Sequence, residues 1–134
     1  MKVNQLYNLE ARKGEIGLEI ECEGDSLPQY NSPVWRSELD SSLKKAGSFE
    51  YVLNQPILRE EVPFALKELE DAIKKNKGSI DESVRAGVHV HLNVQTLTLI
   101  QVFNLVTTYM ILENLLVKFC GENREGNLFC LRTS

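Results

Sequence analysis

Two segments alternate so regularly that few local folds can hold them: Glu15-Ile16-Gly17-Leu18-Glu19-Ile20-Glu21-Cys22-Glu23 and Gly87-Val88-His89-Val90-His91-Leu92-Asn93. A β-strand sends successive side chains to opposite faces. In the first segment Ile16, Leu18, Ile20 and Cys22 then line one side while Glu15, Glu19, Glu21 and Glu23 line the other. In the second, Val88, Val90 and Leu92 form the face expected to be buried, and His89, His91 and Asn93 point the opposite way.

Four carboxylates on one strand face repel one another and resist desolvation. They are tolerated where the face is wet, where basic groups oppose it, or where cations sit on it. Residues i and i+2 lie roughly 6.7 Å apart along a strand, too far to chelate one ion comfortably but suited to one carboxylate for each of two neighbouring ions. Glu19 and Glu21 fit that spacing. His89 and His91 are the only histidines in the chain, and neutral imidazole mixed with carboxylate suits magnesium, manganese or zinc according to geometry. The ordinary alternatives are a solvated acidic face and two structural histidines with satisfied hydrogen bonds.

With 134 residues, the expectation is one domain, residues 1–134, with a single core. That is short for an enzyme that must enclose two or three substrates. A net charge of -4 and a pI near 5.2 argue against electrostatic wrapping of nucleic acid, and Lys74, Lys75 and Lys77 read as a helix end rather than a basic stripe. Cys22, Cys120 and Cys130 have neither a disulfide pattern nor zinc spacing; they read as small apolar fillers in a protein of the reducing cytoplasm. Met1 to Asn8 lacks the apolar run of a secretory signal. The longest apolar segment, Leu97 to Cys120, is interrupted by Gln101, Asn104, Glu113, Asn114 and Lys118, so it is expected to be a buried helix and not a membrane span.

Between these segments, Gly24 to Pro33 reads as a polar turn region, a mobile loop beside whatever the first strand binds. Val34 to Leu39 and Ser48 to Leu53 read as two further strands, joined in a hairpin through Lys44-Lys45-Ala46-Gly47. From Arg59 to Lys75, Val62, Ala65, Leu66, Leu69, Ala72 and Ile73 recur at helical spacing, and Asn76-Lys77-Gly78 ends the helix. A second helix starts near Thr96 or Thr98, whose hydroxyl can cap it. Its apolar residues occupy more than one face, which implies burial on several sides or a partner. The order strand, strand, strand, helix, strand, helix predicts an α+β fold, a largely antiparallel sheet with helices on one face.

Taken in order, Glu19-Ile-Glu21, Trp35 with Asp40, Ser42 and Leu43, Phe49-Glu50-Tyr51-Val52 with Pro56, and Gly87-Val-His89-Val-His91-Leu resemble the amidoligases. These are carboxylate–amine ligases with the glutamine synthetase-like fold. The tail Asn123-Arg124, Asn127, Phe129-Cys130 is similar to the segment that follows the long helix in that family. The resemblance implies a concave sheet face holding ATP and Mg2+ or Mn2+, where a substrate carboxylate is activated as an acyl phosphate and an amine then forms an amide or isopeptide bond. It also implies roles: Glu19, Glu21 and Glu50 as metal ligands, His89 or His91 completing a site, Asp40 as a less certain member, and Arg124 facing phosphate oxygens or a substrate carboxylate.

Each residue also has a plainer reading. Glu50 fits an exposed strand position, Asp40 with Ser41 and Ser42 fits a turn, Trp35 fits the core and Arg124 fits a surface charge. Family members usually extend past the segment that ends here at Ser134. The chain is therefore expected to be a fragment, a short member that completes its site as a homo-oligomer, or a remnant kept for binding. Two other functions stay open: a non-catalytic binding protein associating through the Leu97 to Cys120 helix, and a metal-dependent hydrolase built on the same face.

Overall fold

The computed structural model describes residues 1–12 and 14–121; Arg124 and its neighbours Asn123, Asn127, Phe129 and Cys130 lie outside the described residues. The elements in order are α1 (Val3–Leu6), β1 (Ile16–Cys22), β2 (Gly24–Asp25), β3 (Trp35–Glu38), β4 (Phe49–Leu53), a 3-10 turn (Arg59–Glu61), α2 (Val62–Lys75), β5 (Ser79–Ile80), β6 (Val88–Leu92) and α3 (Leu99–Phe119). Contacts divide the chain into two compact units, Arg12–Asn93 and a second formed by Met1–Ala11 with Val94–Ser134.

The unit Arg12–Asn93 is an α+β layer. Its four-stranded sheet runs β3-β4-β1-β6 with every neighbouring pair antiparallel. The register places Ile20 opposite Tyr51 and Trp35 opposite Leu53, so the apolar residues of three strands share one face. α2 lies against that face because Ala65, Leu69 and Ile73, four residues apart, form a single buried stripe;. Trp35 and Tyr51 are completely buried there. Each finds a partner for its polar end: Trp35 Nε1–H donates to the Ala65 carbonyl at 2.9 Å, and the Tyr51 hydroxyl donates to the Pro28 carbonyl at 2.8 Å. α2 ends with Lys77 in the left-handed region at φ 55, and the Gly78 N–H returns to the Ile73 carbonyl at 2.9 Å, a Schellman closure.

Three expectations need correction. Gly24 to Pro33 is tied down rather than left as a free loop: β2 pairs with β5, Leu27 enters the core, and the Tyr30 hydroxyl donates to Glu68 Oε1 at 3.0 Å. Apolar anchors inside a polar segment give it a packed position. The β2–β5 contact is close enough to require glycine, since a Cβ on Gly24 would sit 1.9 Å from the Ser79 carbonyl oxygen. Gly24→Ala is therefore expected to cost about 1–3 kcal/mol, the range for forcing atoms into filled space, read as a lower urea midpoint at unchanged slope.

The second correction concerns β6. Val88, Val90 and Leu92 are 61%, 59% and 56% exposed instead of buried. β6 is the outermost strand, and the buried stripe of α2 is already packed in the core with residues of β1, β3 and β4. An apolar groove of about 370 Å³ opens between β1 and α2, lined in part by Ile20, Leu66, Leu69, Ile73 and Ile80.

The third concerns α3, in the other unit. The helix begins where expected: Thr98 Oγ1 accepts from the Gln101 N–H at 3.3 Å, and Gln101 Oε1 accepts from the Thr98 N–H at 2.8 Å, a capping box. Burial does not follow. Phe103 and Phe119 are 70% and 92% exposed, and Glu113 is the one buried residue of the helix. Apolar residues encircle its axis, and the four-residue α1 of the same unit is too small to cover them. By length and composition α3 could cross a membrane, at a mean hydropathy of 1.4. Cys22 is buried as a filler, but Cys120 is exposed.

Candidate functional site

The polar face of the sheet collects ionisable side chains from all four strands. Glu21 stands opposite Glu50 across β1 and β4, and Glu38 stands opposite Glu50 across β4 and β3, making a carboxylate row over three strands. In the next row Arg36 faces Val52, Val52 faces Glu19, and Glu19 faces His89. Gly17 faces His91 one step further on, where a Cβ would stand 3.3 Å from the His91 Cβ. The bare glycine leaves room for that imidazole on the sheet.

Glu19 is the hub. His89 Nδ1 lies 3.2 Å and His91 Nε2 3.1 Å from Glu19 Oε2. Burial pulls the Glu19 carboxyl upward, but hydrogen bonds and charge from His91 and His89 outweigh it, so the group stays ionised below the usual glutamate range. Its neighbours behave oppositely. Burial is the largest influence on Glu21 and raises it; His89, with Nε2 3.8 Å from Glu21 Oε1, opposes, while Asp40 and Glu50 push further upward. Burial likewise raises Glu50, helped by the charges of Glu19 and Asp40. Asp40 is lowered, first by Ser42, whose Oγ and N–H donate to it at 2.6 and 2.8 Å. The interaction between the two side chains of Asp40 and Glu21 lowers Asp40 and raises Glu21.

Of the residues expected to ligate metal, Glu19, Glu50 and His89 each present one donor atom within 4.8 Å of the others. The convergence runs diagonally across two strand pairs and takes one carboxylate from β1, in keeping with a Glu19-x-Glu21 spacing too wide for a single ion. His91 meets Glu19 rather than joining that set, and Glu21 turns toward Asp40. Two carboxylate oxygens and one imidazole nitrogen are a reasonable donor set for magnesium or manganese, with open positions left for water or substrate oxygen. Asp40 fits its plainer reading as a turn former, accepting from Ser42, and its charge bears on Glu21 and Glu50 without its joining the convergent set.

Two participants carried no expectation, and a third residue has a different task from the one expected. Arg36 and Glu38 lie on this same face, paired at 2.5 Å; the alternation of Trp35-Arg36-Ser37-Glu38 was the signal. Glu23 is not a face carboxylate at all but a clip. Its Oε1 accepts the Lys44 and Lys45 N–H groups at 2.6 and 3.4 Å, and its Oε2 accepts the Ser83 hydroxyl at 2.6 Å. Those bonds fasten the loop that carries Asp40 and hold Glu23 below the usual range, the Ser83 bond most.

In comparisons with known proteins, the model of a family described as "putative amidoligase enzyme" matches residues 7–134. No curated protein and no solved structure matches.

Proposed function

The chain belongs to the amidoligase family, and from that membership we propose that it is an ATP-dependent carboxylate–amine ligase, or part of one, with the glutamine synthetase-like fold. The observation that carries this reading is the convergence of Glu19, Glu50 and His89 within 4.8 Å on an otherwise acidic sheet face. Bound there, Mg2+ or Mn2+ would neutralise phosphate oxygens and supply electrostatic stabilisation to phosphoryl transfer.

The protein's own groups have distinct tasks in this reading. Glu19, kept ionised by two imidazoles, offers a permanent carboxylate. His89 orients it and adds a nitrogen donor. Glu21 and Asp40 are neighbouring carboxyl groups that a second cation could bridge. Arg36, at the rim of the same face, can grip an anionic group once a substrate draws it from Glu38. In the reaction, a substrate carboxylate takes the terminal phosphoryl group of ATP and ADP leaves. An amine then attacks the acyl carbon, phosphate leaves, and the amine gives up a proton. The acid and amine are small molecules or peptides, and a reducing cytoplasm suits the free thiols.

A melting experiment tests it. ATP with Mg2+ or Mn2+ should raise the melting temperature of the wild-type chain, since a ligand at a hundred times its Kd adds about 2.7 kcal/mol. Glu19→Gln and His89→Ala should remove the shift. An unchanged wild-type transition would count against the ligase and favour the second reading, a binding protein associating through apolar surface, for which the exposed α3 is the supporting observation.

A further inference from the structure

Among the described residues of its unit, the outer edge of β6 is an unpaired strand edge. Its phase is set by two backbone bonds to β1: Glu21 N–H to the Gly87 carbonyl at 2.9 Å and Asn93 N–H to the Glu15 carbonyl at 2.8 Å. Residues 87, 89, 91 and 93 therefore turn their backbone groups toward β1, and Val88, Val90 and Leu92 turn theirs outward. Among the described residues no strand pairs with that side. Natural sheets protect such edges with charges, proline, bulges or covering elements. The opposite edge strand, β3, carries the Arg36–Glu38 pair, whereas Val88-His89-Val90-His91-Leu92 has no lysine, arginine, aspartate, glutamate or proline.

We propose that β6 pairs antiparallel with β6 of a second copy of this chain about a two-fold axis at Val90, joining two four-stranded sheets into one of eight strands. The sequence of the strand is what selects a second copy. It reads apolar, histidine, apolar, histidine, apolar, and is symmetric about Val90, so reversal places like on like. Val90 meets the partner's Val90, and Val88 meets the partner's Leu92. These are the positions whose backbone groups face outward, and each opposed pair exchanges two hydrogen bonds, about six in all. No fixed like charges confront one another. The exposed apolar row of β6 becomes continuous across the axis.

On the polar face His89 comes opposite the partner's His91 in a non-hydrogen-bonded position, where Cα atoms lie about 4.5 Å apart. Four imidazoles then sit between two Glu19 carboxylates, and the candidate metal face runs unbroken through the dimer. The pairing itself does not depend on the ligase reading, because it rests on the strand edge alone.

Light scattering across a dilution series, with hydrogen exchange on the same samples, tests the proposal without any nucleotide. The wild-type chain is expected to be a dimer whose Val88, Val90 and Leu92 amides are protected at high concentration and exchange on dilution. Val90→Pro removes an outward N–H that β1 does not use, a tolerated edge substitution, and should give a monomer. Val90→Lys keeps the strand and should do the same. A wild-type chain that stays monomeric to its solubility limit overturns the proposal. So does a dimer that persists in Val90→Lys with those three amides unprotected, which would place association on another surface such as α3.

Discussion

Glu50→Gln is expected to make the metal-free protein more stable and, in the same stroke, to remove its response to divalent cations. Glu50 faces Glu21 and Glu38 directly across two strand pairs, an arrangement in which opposed like charges destabilise a sheet. Burial, then the charges of Glu19 and Asp40, hold its carboxyl above the usual range. The folded chain therefore keeps that proton to a higher pH than the unfolded chain, and stability falls as pH rises from the ordinary glutamate value through the raised one. Glutamine cannot ionise, so the gain should be absent in acid and reach about 0.2–1 kcal/mol near neutral pH. Loss of a ligand should weaken cation binding by at least the ~10–100-fold that removal of an outer-shell partner costs. Urea unfolding at two pH values, with and without Mn2+, reads both effects. A single effect without the other would separate electrostatic crowding from metal binding.

Trp35→Ala is expected to be the most damaging substitution to the fold. The ring is completely buried between the sheet and α2, and its N–H ties the sheet to the helix through Ala65. Large-to-small changes at buried tryptophan cost about 3–5 kcal/mol, a large part of the 5–15 kcal/mol that stabilises an ordinary domain. The variant should unfold at markedly lower urea, or fail to fold. Trp35→Phe keeps most of the ring but removes the donor, and the lost hydrogen bond should contribute about 0.5–1.5 kcal/mol of its smaller cost. Equal damage from both changes would mean that the hydrogen bond, not the packing, governs this junction.

The two alternating segments were readable because period-two patterning is a property of a single strand. Both fold as strands, Glu19 and His89 share a face, and Trp35 belongs to the core. Register is a property of a pair, and nothing local in Phe49-Glu50-Tyr51 states that Glu50 stands opposite Glu21. For the same reason the Glu19-x-Glu21 spacing could only say that the two carboxylates do not share one ion; that Glu19 comes together with Glu50 and His89, both named by the family resemblance, depends on register. Gly24 to Pro33 is irregular past Asp25 as a turn region should be, but its prolines and polar residues gave no sign that Leu27 and Tyr30 hold it in place. The breadth of apolar residues on α3 was legible as well. What covers such a helix depends on surfaces outside its own sequence, and exposure rather than burial is what the described residues show. Arg124 lies outside those residues.

Glu19, Glu50 and His89 are proposed to form one cation centre, and Mn2+ added to the wild-type chain is its sharpest probe. Pulsed electron paramagnetic resonance of that sample should show nitrogen coupling from a ligated imidazole. The coupling should disappear in His89→Ala, and Mn2+ binding should weaken in Glu19→Gln. Mn2+ that remains free in solution, or binds with no nitrogen coupling and with undiminished affinity in Glu19→Gln, would contradict the account.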